Sequence, residues 1–231
     1  MLKVLVACEC SQMVCKAFRA LGDECFSCDL EKEYGEHPEW HIQSDCLPLL
    51  HGKCSFKTND GKEHYIDHWD CIIAHPPCTY LTNTQSPAYN VEKWGKEKVE
   101  KRLANREKAI EFFMAFTNLG VPTLIENPVG YMNTHYRKPD QNIQPYEFGD
   151  PATKRTSLWL YNLPKLIPTK IVEPPPVHRY PHAYAMGGWY YSSTKLPKKD
   201  QARVRSKTFP GIAEAIAKQY HDYLTNTNRS E

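Results

Sequence analysis

The sequence has no apolar run of membrane-spanning length. Its N-terminal stretch Met1-Leu2-Lys3-Val4-Leu5-Val6-Ala7 turns polar at Glu9, too soon for a secretory leader, so the expectation is a cytoplasmic protein with no membrane partner. Cysteine is missing from everything beyond position 78. The nine cysteines stand at 8, 10, 15, 25, 28, 46, 54, 71 and 78, and an odd number with no export signal argues against a disulfide framework. Neither the Cys25/Cys28 CxxC nor the Cys8/Cys10 CxC is followed by a second pair at finger spacing, so sequence does not assemble the four ligands of a tetrahedral zinc. Packed thiols are the first reading and structural zinc the second. Internal repeats and low-complexity tracts are also absent.

Acid is scarce near the C-terminus. Between 154 and 207 eleven basic residues face only Glu173 and Asp200, among Tyr180, Tyr184, Trp189, Tyr190 and Tyr191. That composition suits a phosphate-bearing polymer whose bases stack on rings, and equally a solvated basic loop. The overall net charge of +2 says little.

What is present is an ordinary soluble balance, 41% hydrophobic and 24% charged over 231 residues, enough for one sizeable core and one domain. Residues 2–7 read as a buried strand. Met13, Val14, Ala17, Phe18 and Leu21 follow at helical spacing behind Ser11, a candidate N-cap, with Gly22 as the stop. Residues 25–30 read as a second strand with Asp29 near its end, where an acid can accept bonds from ribose hydroxyls.

Asn59-Asp60-Gly61 between alternating segments predicts a hairpin within 50–67, taken as a surface insertion. Residues 69–74 form another buried-strand pattern that runs into His75-Pro76-Pro77-Cys78. A helix is expected over 99–119 with Ala109, Ile110, Phe112, Phe113 and Phe116 inward and Gly120 as its cap. A short strand over 121–125 closes on Glu126-Asn127-Pro128-Val129. An edge hairpin over 142–160 with Gly149-Asp150-Pro151 as its turn, an irregular basic and aromatic segment over 163–208, and a final amphipathic helix after Phe209-Pro210-Gly211 complete the reading.

Pro76-Pro77-Cys78 is the sharpest chemical signal, because two prolines present a thiol on a stiff, non-helical turn at the edge where α/β sheets bind substrates. A buried structural cysteine is the alternative. Glu126 at the next strand tip favours chemistry, since a thiol and a carboxyl at adjacent tips can act on one substrate.

These motifs in this order resemble the cytosine 5-methyltransferases, over most of the chain. Ile-Ala-His-Pro-Pro-Cys-Thr-Tyr-Leu at 73–81, Ile-Glu-Asn-Pro at 125–128 and Phe-Pro-Gly-Ile-Ala at 209–213 also resemble a compact subgroup found in bacteriophage genomes, which implies work in the cytoplasm of a bacterial host and, by extension, protection against restriction. The resemblance implies an α/β, Rossmann-like class I methyltransferase fold, with a mostly parallel central sheet and helices on both faces. It implies S-adenosylmethionine as cofactor, with Cys78 attacking carbon 6 of a pyrimidine while Glu126 protonates or hydrogen-bonds ring nitrogen 3. By the same matching Lys154 and Arg155 hold the base's carbonyl. Ala7, Cys8, Glu9 and Ser11 face the cofactor, with Glu9 toward its ammonium. Asp29 holds the ribose, Asp45 lies near the adenine, Pro76 borders the site, and Pro210 and Gly211 pack back on it.

Two departures narrow the expectation. The family's glycine-rich first motif is replaced by Ala7-Cys8-Glu9-Cys10-Ser11-Gln12. Between residues 157 and 208 there is no room for a full target-recognition domain, work a duplex-acting member would need for base extrusion. DNA is the first expected substrate; single-stranded DNA, RNA, a free nucleotide, or a non-catalytic nucleic-acid-binding decoy are the alternatives.

Overall fold

The computed structural model describes residues 1–174 and 193–227. The first strand, β1 (Lys3–Ala7), enters the buried middle of a sheet and is followed by α1 (Met13–Ala20), β2 (Glu24–Asp29) and β3 (His41–Gln43). A hairpin of β4 (Cys54–Lys57) and β5 (Glu63–Ile66) precedes β6 (Cys71–Ala74). Then come α2 (Val91–Trp94), the long α3 (Lys96–Met114), β7 (Thr123–Pro128), α4 (Met132–His135), β8 (Gln141–Ile143) and β9 (Thr156–Tyr161), with α5 (Lys198–Ser206) and α6 (Pro210–Thr227) last.

Seven strands form one sheet in the order β3-β2-β1-β6-β7-β9-β8. The pairs among the first five strands are parallel, and β9 runs antiparallel to both β7 and β8. The parallel part is wound outward from β1 in both directions, the pattern of an open Rossmann-like α/β sheet whose clefts lie at the carboxyl ends of the strands. A mixed, mostly parallel sheet with helices on both faces is therefore present.

Alternation along the strands sends side chains to two cores. Val4, Val6, Ile73 and Leu124 pack with α1 and with Ile212, Ile216, Tyr220 and Leu224 of α6. Leu5, Ala7, Ile72 and Ile125 pack with Ile110, Phe113 and Phe116. The same alternation splits the CxxC: Cys25 lies in the first core and Cys28 in the second, so the two thiols stand on opposite faces and cannot share one ion. No His/Cys/Asp/Glu group able to hold a metal occurs among the described residues, and no described helix is long and apolar enough to cross a membrane.

Several boundaries differ from the sequence reading. The long helix begins at Lys96 and ends at Met114, so Phe116 packs from the following turn and Gly120 caps nothing. Leu21, expected inward, is 37% exposed. The 52–66 hairpin is more than a surface insertion, because Phe56 and Ile66 join the second core. Residues 198–206, expected to be irregular, form α5; 175–192, with all five aromatics of the basic and aromatic stretch, lie outside the described residues. Glu126, Asn127 and Pro128 belong to β7 itself, since β9 continues to pair with that strand beyond the end of β6.

The start of α6 is fixed by a close approach. A Cβ added to Gly211 would lie 1.8 Å from the Phe148 carbonyl oxygen, and the Gly211 amide donates to Asp150 Oδ2 at 2.9 Å. Only glycine lets this helix end settle on the 148–150 turn. Gly211→Ala is expected to lower stability by about 1–3 kcal/mol, read in urea unfolding as an earlier midpoint at an unchanged slope.

Candidate active site

Four strand ends meet at the carboxyl edge of the sheet. The His75 amide donates to the Ala7 carbonyl at 3.0 Å and the Glu9 amide to the Cys28 carbonyl at 3.2 Å, knitting the tips of β1, β2 and β6. From β7, Asn127 Nδ2 donates to the Pro76 carbonyl at 2.7 Å, and Glu126 Oε2 lies 2.9 Å from His75 Nδ1. The Pro76-Pro77 pair cannot offer amide donors or continue a helix. The chain therefore turns out of the sheet, and Leu81 and Thr82 donate their amides to the Cys78 carbonyl at 2.9 and 3.0 Å. The expected side-by-side placement of the two tips is present.

Charge follows from this packing. Burial pushes the Cys78 thiol up, the negative Glu126 adds to that, and Lys154 opposes it. Burial presses the Glu126 carboxyl upward too, but the His75 hydrogen bond and the Lys154 charge outweigh it and leave the group below its ordinary value. At neutral pH the resting pair is a protonated thiol beside an ionised carboxylate. Lys154 Nζ also donates to the Arg205 carbonyl at the end of α5 at 3.2 Å, whereas the adjacent Arg155 is exposed. Of the two basic residues expected here, Lys154 is the one whose charge reaches Cys78 and Glu126.

Sequence reasoning passed over His75. Its Nδ1 holds Glu126, while its Nε2 is buried without a hydrogen-bond partner among the described residues. The signal available in the sequence was its position two residues before the second proline of Pro-Pro-Cys, at the end of an apolar strand.

The loop after β1 achieves without glycine what a glycine-rich turn does elsewhere. Cys8 (φ 61°) and Gln12 (φ 58°) both adopt left-handed backbone, a conformation that costs a non-glycine residue about 1–2 kcal/mol. The buried Gln12 side chain offsets this: it donates to the His37 carbonyl at 2.8 Å and accepts from the His37 amide at 3.1 Å. Ser11 is not the cap of α1. Glu9, 4% exposed, accepts the amides of Val14 at 2.8 Å and Cys15 at 3.2 Å, and Ser11 Oγ donates to it at 3.3 Å. Burial raises the Glu9 carboxyl despite these bonds and the neighbouring His75. Its oxygens thus serve the helix N-terminus, where a negative group is favoured.

Asp29 stands at the tip of β2 with Oδ1 accepting the Glu31 amide at 2.9 Å. The exposed Asp45 follows β3 and accepts the Leu47 amide at 3.0 Å. Next to it the Cys46 thiol, together with burial, holds the Cys8 thiol well above its ordinary value. Tyr34 Oη donates to the Arg203 carbonyl at 3.2 Å, so α5 lies over this loop. Gly211 is committed to Phe148 and Asp150.

No protein-family model matches the chain, and no curated protein matches it.

Because Glu126 raises and Lys154 lowers the Cys78 thiol, their neutral variants shift its reactivity in opposite directions. Glu126→Gln is expected to speed alkylation of Cys78 by iodoacetamide at pH 7.5 about threefold or more, and Lys154→Gln to slow it. Peptide-resolved mass spectrometry over time separates Cys78 from the other thiols.

Proposed function

We propose that the chain is an S-adenosylmethionine-dependent methyltransferase of class I fold that acts on carbon 5 of cytosine in DNA, by addition of Cys78 to carbon 6. The observation that carries this reading is the pair of locked strand tips, Cys78 after β6 and Glu126 on β7, with the charge of Lys154 felt by both.

The resting charge state suits the addition. An aromatic carbon becomes nucleophilic only when its neighbour is attacked and the ring nitrogen takes a proton. Cys78 brings that proton as its S–H, and Glu126 is the base that can accept it and pass it to nitrogen 3. The S–C6 bond forms, the S–H bond breaks, and the carboxylate ends as it began. Carbon 5 is then electron-rich, and Lys154 is the cation available to the ring carbonyl. When bound, S-adenosylmethionine supplies an electrophilic methyl group to that carbon. Loss of the carbon 5 proton to solvent lets Cys78 depart with the S–C6 electron pair, and the nitrogen 3 proton returns to sulfur through Glu126. His75, bonded to Glu126, holds the carboxylate in place for both transfers.

The cofactor assignment rests on the same edge of the sheet. Dinucleotide-binding sheets place a pyrophosphate at the N-terminus of the first helix; here the Glu9 carboxylate already occupies those amides. A phosphate at that point would be repelled by a buried acid, whereas a phosphate-free, cationic nucleoside would not be. Asp29 would hold its ribose, and Asp45 would sit beside its base. The loop from Ala7 to Ser11 and Pro76 would border the rest. The basic composition of 154–207 supports a nucleic-acid substrate.

The deciding experiment is nucleoside mass spectrometry of DNA and RNA from cells that express the protein in a host without cytosine 5-methylation. A new 5-methylcytosine peak in DNA that vanishes with Cys78→Ala is expected. The same peak surviving in that variant would sink the covalent mechanism, and no modified base in either polymer would remove methylation of nucleic acid.

A further inference from the structure

Beside the thiol lies a second cluster that the addition chemistry does not use. The turn that follows Cys78 continues into a 3-10 segment, Asn83–Tyr89, and is pinned to the loop after β7. The Tyr131 amide donates to the Leu81 carbonyl at 2.6 Å, and a Cβ on Gly130 would come within 2.1 Å of that oxygen. Between this pinned loop and α3 is a cavity of about 170 Å³ lined by Tyr80, Thr82, Asn83, Ser86, Tyr89, Arg106 and Tyr131. It is smaller than a drug-sized site, and none of its lining residues is an acid.

The guanidinium of Arg106 lies over two rings, 4.3 Å from the centre of Tyr89 and 4.4 Å from that of Tyr131. Two cation–π contacts hold the group by its π surface, and its N–H edge is left to find an acceptor. None is supplied by the described residues: Arg106 makes no salt bridge, and its Nε is buried without a hydrogen-bond partner. Its helical neighbours three and four residues away are Arg102, Leu103, Ala109 and Ile110, which include no acid and one further cation. Arg102 is itself held over Tyr80 and Tyr89 at 5.1 and 5.3 Å. A buried donor without an acceptor is costly, and a bound anion would give the Arg106 guanidinium the acceptor it lacks.

We infer that this cavity is a phosphate subsite, in which Arg106 receives a substrate phosphate group with Ser86 and Asn83 as further donors. The inference rests on the reading of Cys78 as a nucleophile toward a pyrimidine, because the subsite is one hydrogen-bonded turn from that thiol. Arginine's fork matches two phosphate oxygens at once. The two ring contacts fix the fork before substrate arrives, so the phosphate orients the base toward Cys78. The phosphate comes either from the backbone of a polynucleotide or from a free nucleotide.

Binding by the full-length protein tests this without reliance on turnover. Three probes are compared, a cytosine-containing single-stranded oligodeoxynucleotide, deoxycytidine monophosphate and deoxycytidine, against wild type, Arg106→Ala and Ser86→Ala. Arg106→Ala is expected to weaken a phosphate-bearing probe at least tenfold and leave deoxycytidine unchanged. Its salt dependence for the oligonucleotide should fall by about 0.7 in log–log slope, the release expected from one single-strand phosphate contact. Loss confined to the oligonucleotide assigns the subsite to a phosphodiester, and loss on the monophosphate assigns it to a free nucleotide. Wild-type affinities and slope in Arg106→Ala would overturn the proposal, as would an equal loss on deoxycytidine. Should Arg106→Ala fail to fold, Ser86→Ala decides: a threefold or greater loss on a phosphate-bearing probe supports the subsite and no change overturns it. Arg106-dependent oligonucleotide binding with no new 5-methylcytosine keeps the subsite and removes the methyl-transfer reading. Methylation that ignores Arg106 removes the subsite alone.

Discussion

Asn127 on β7 reaches the carbonyl of Pro76 at a point where the polypeptide has no amide to give, since Pro76 and Pro77 follow one another. Parallel pairing of β6 and β7 ends at Ala74 and Ile125, and beyond it the strands would be free to splay. The Asn127 bond carries the pairing on by side chain. It sets the depth of the Cys78 turn and leaves Glu126 opposite His75. The carboxylate charge, the raised thiol and the pinned loop after Cys78 all depend on that one register beyond the sheet.

Seen from this edge, the loop after β1 and the tips of β6 and β7 are governed by the same electrostatic device, a carboxylate buried against a specific donor set. Glu9 meets helix amides and Ser11; Glu126 meets His75 and the field of Lys154. The outcomes differ because the donors differ. Burial wins at Glu9 and raises its carboxyl, whereas the hydrogen bond and nearby cation win at Glu126 and lower it. One acid is committed to the helix N-terminus and the other stays ionised beside the thiol. The helix that roofs the loop, α5, ties the two sides together through carbonyls that accept from Tyr34 and Lys154.

Much of the fold was legible because the buried strands are short apolar runs and the helices carry inward residues at period 3.6. Val4, Val6, Ile73 and Ile216 announced themselves that way, as did the hairpin through Asn59-Asp60-Gly61. Boundaries were less legible. Nothing local marks Met114 as the end of α3, and β7 runs on through Glu126 only because β9, more than thirty residues later, pairs with it. The α5 helix falls in a stretch whose prolines and charges suggested irregular chain.

The sequence by itself determined that a thiol follows one apolar strand, that a carboxyl stands near the end of the next, and that Asp29 ends a strand. Those facts are local, set by residue type, spacing and proline. Only the tertiary structure decided that Glu9 caps α1 rather than standing free, and that Cys25 and Cys28 part to opposite faces. It also decided that Lys154 and not Arg155 reaches the thiol, and that His75 is the partner of Glu126. Each of these depends on which group from a distant segment lies within a few ångströms and on whether water is excluded there, and neither is written in the order of the residues.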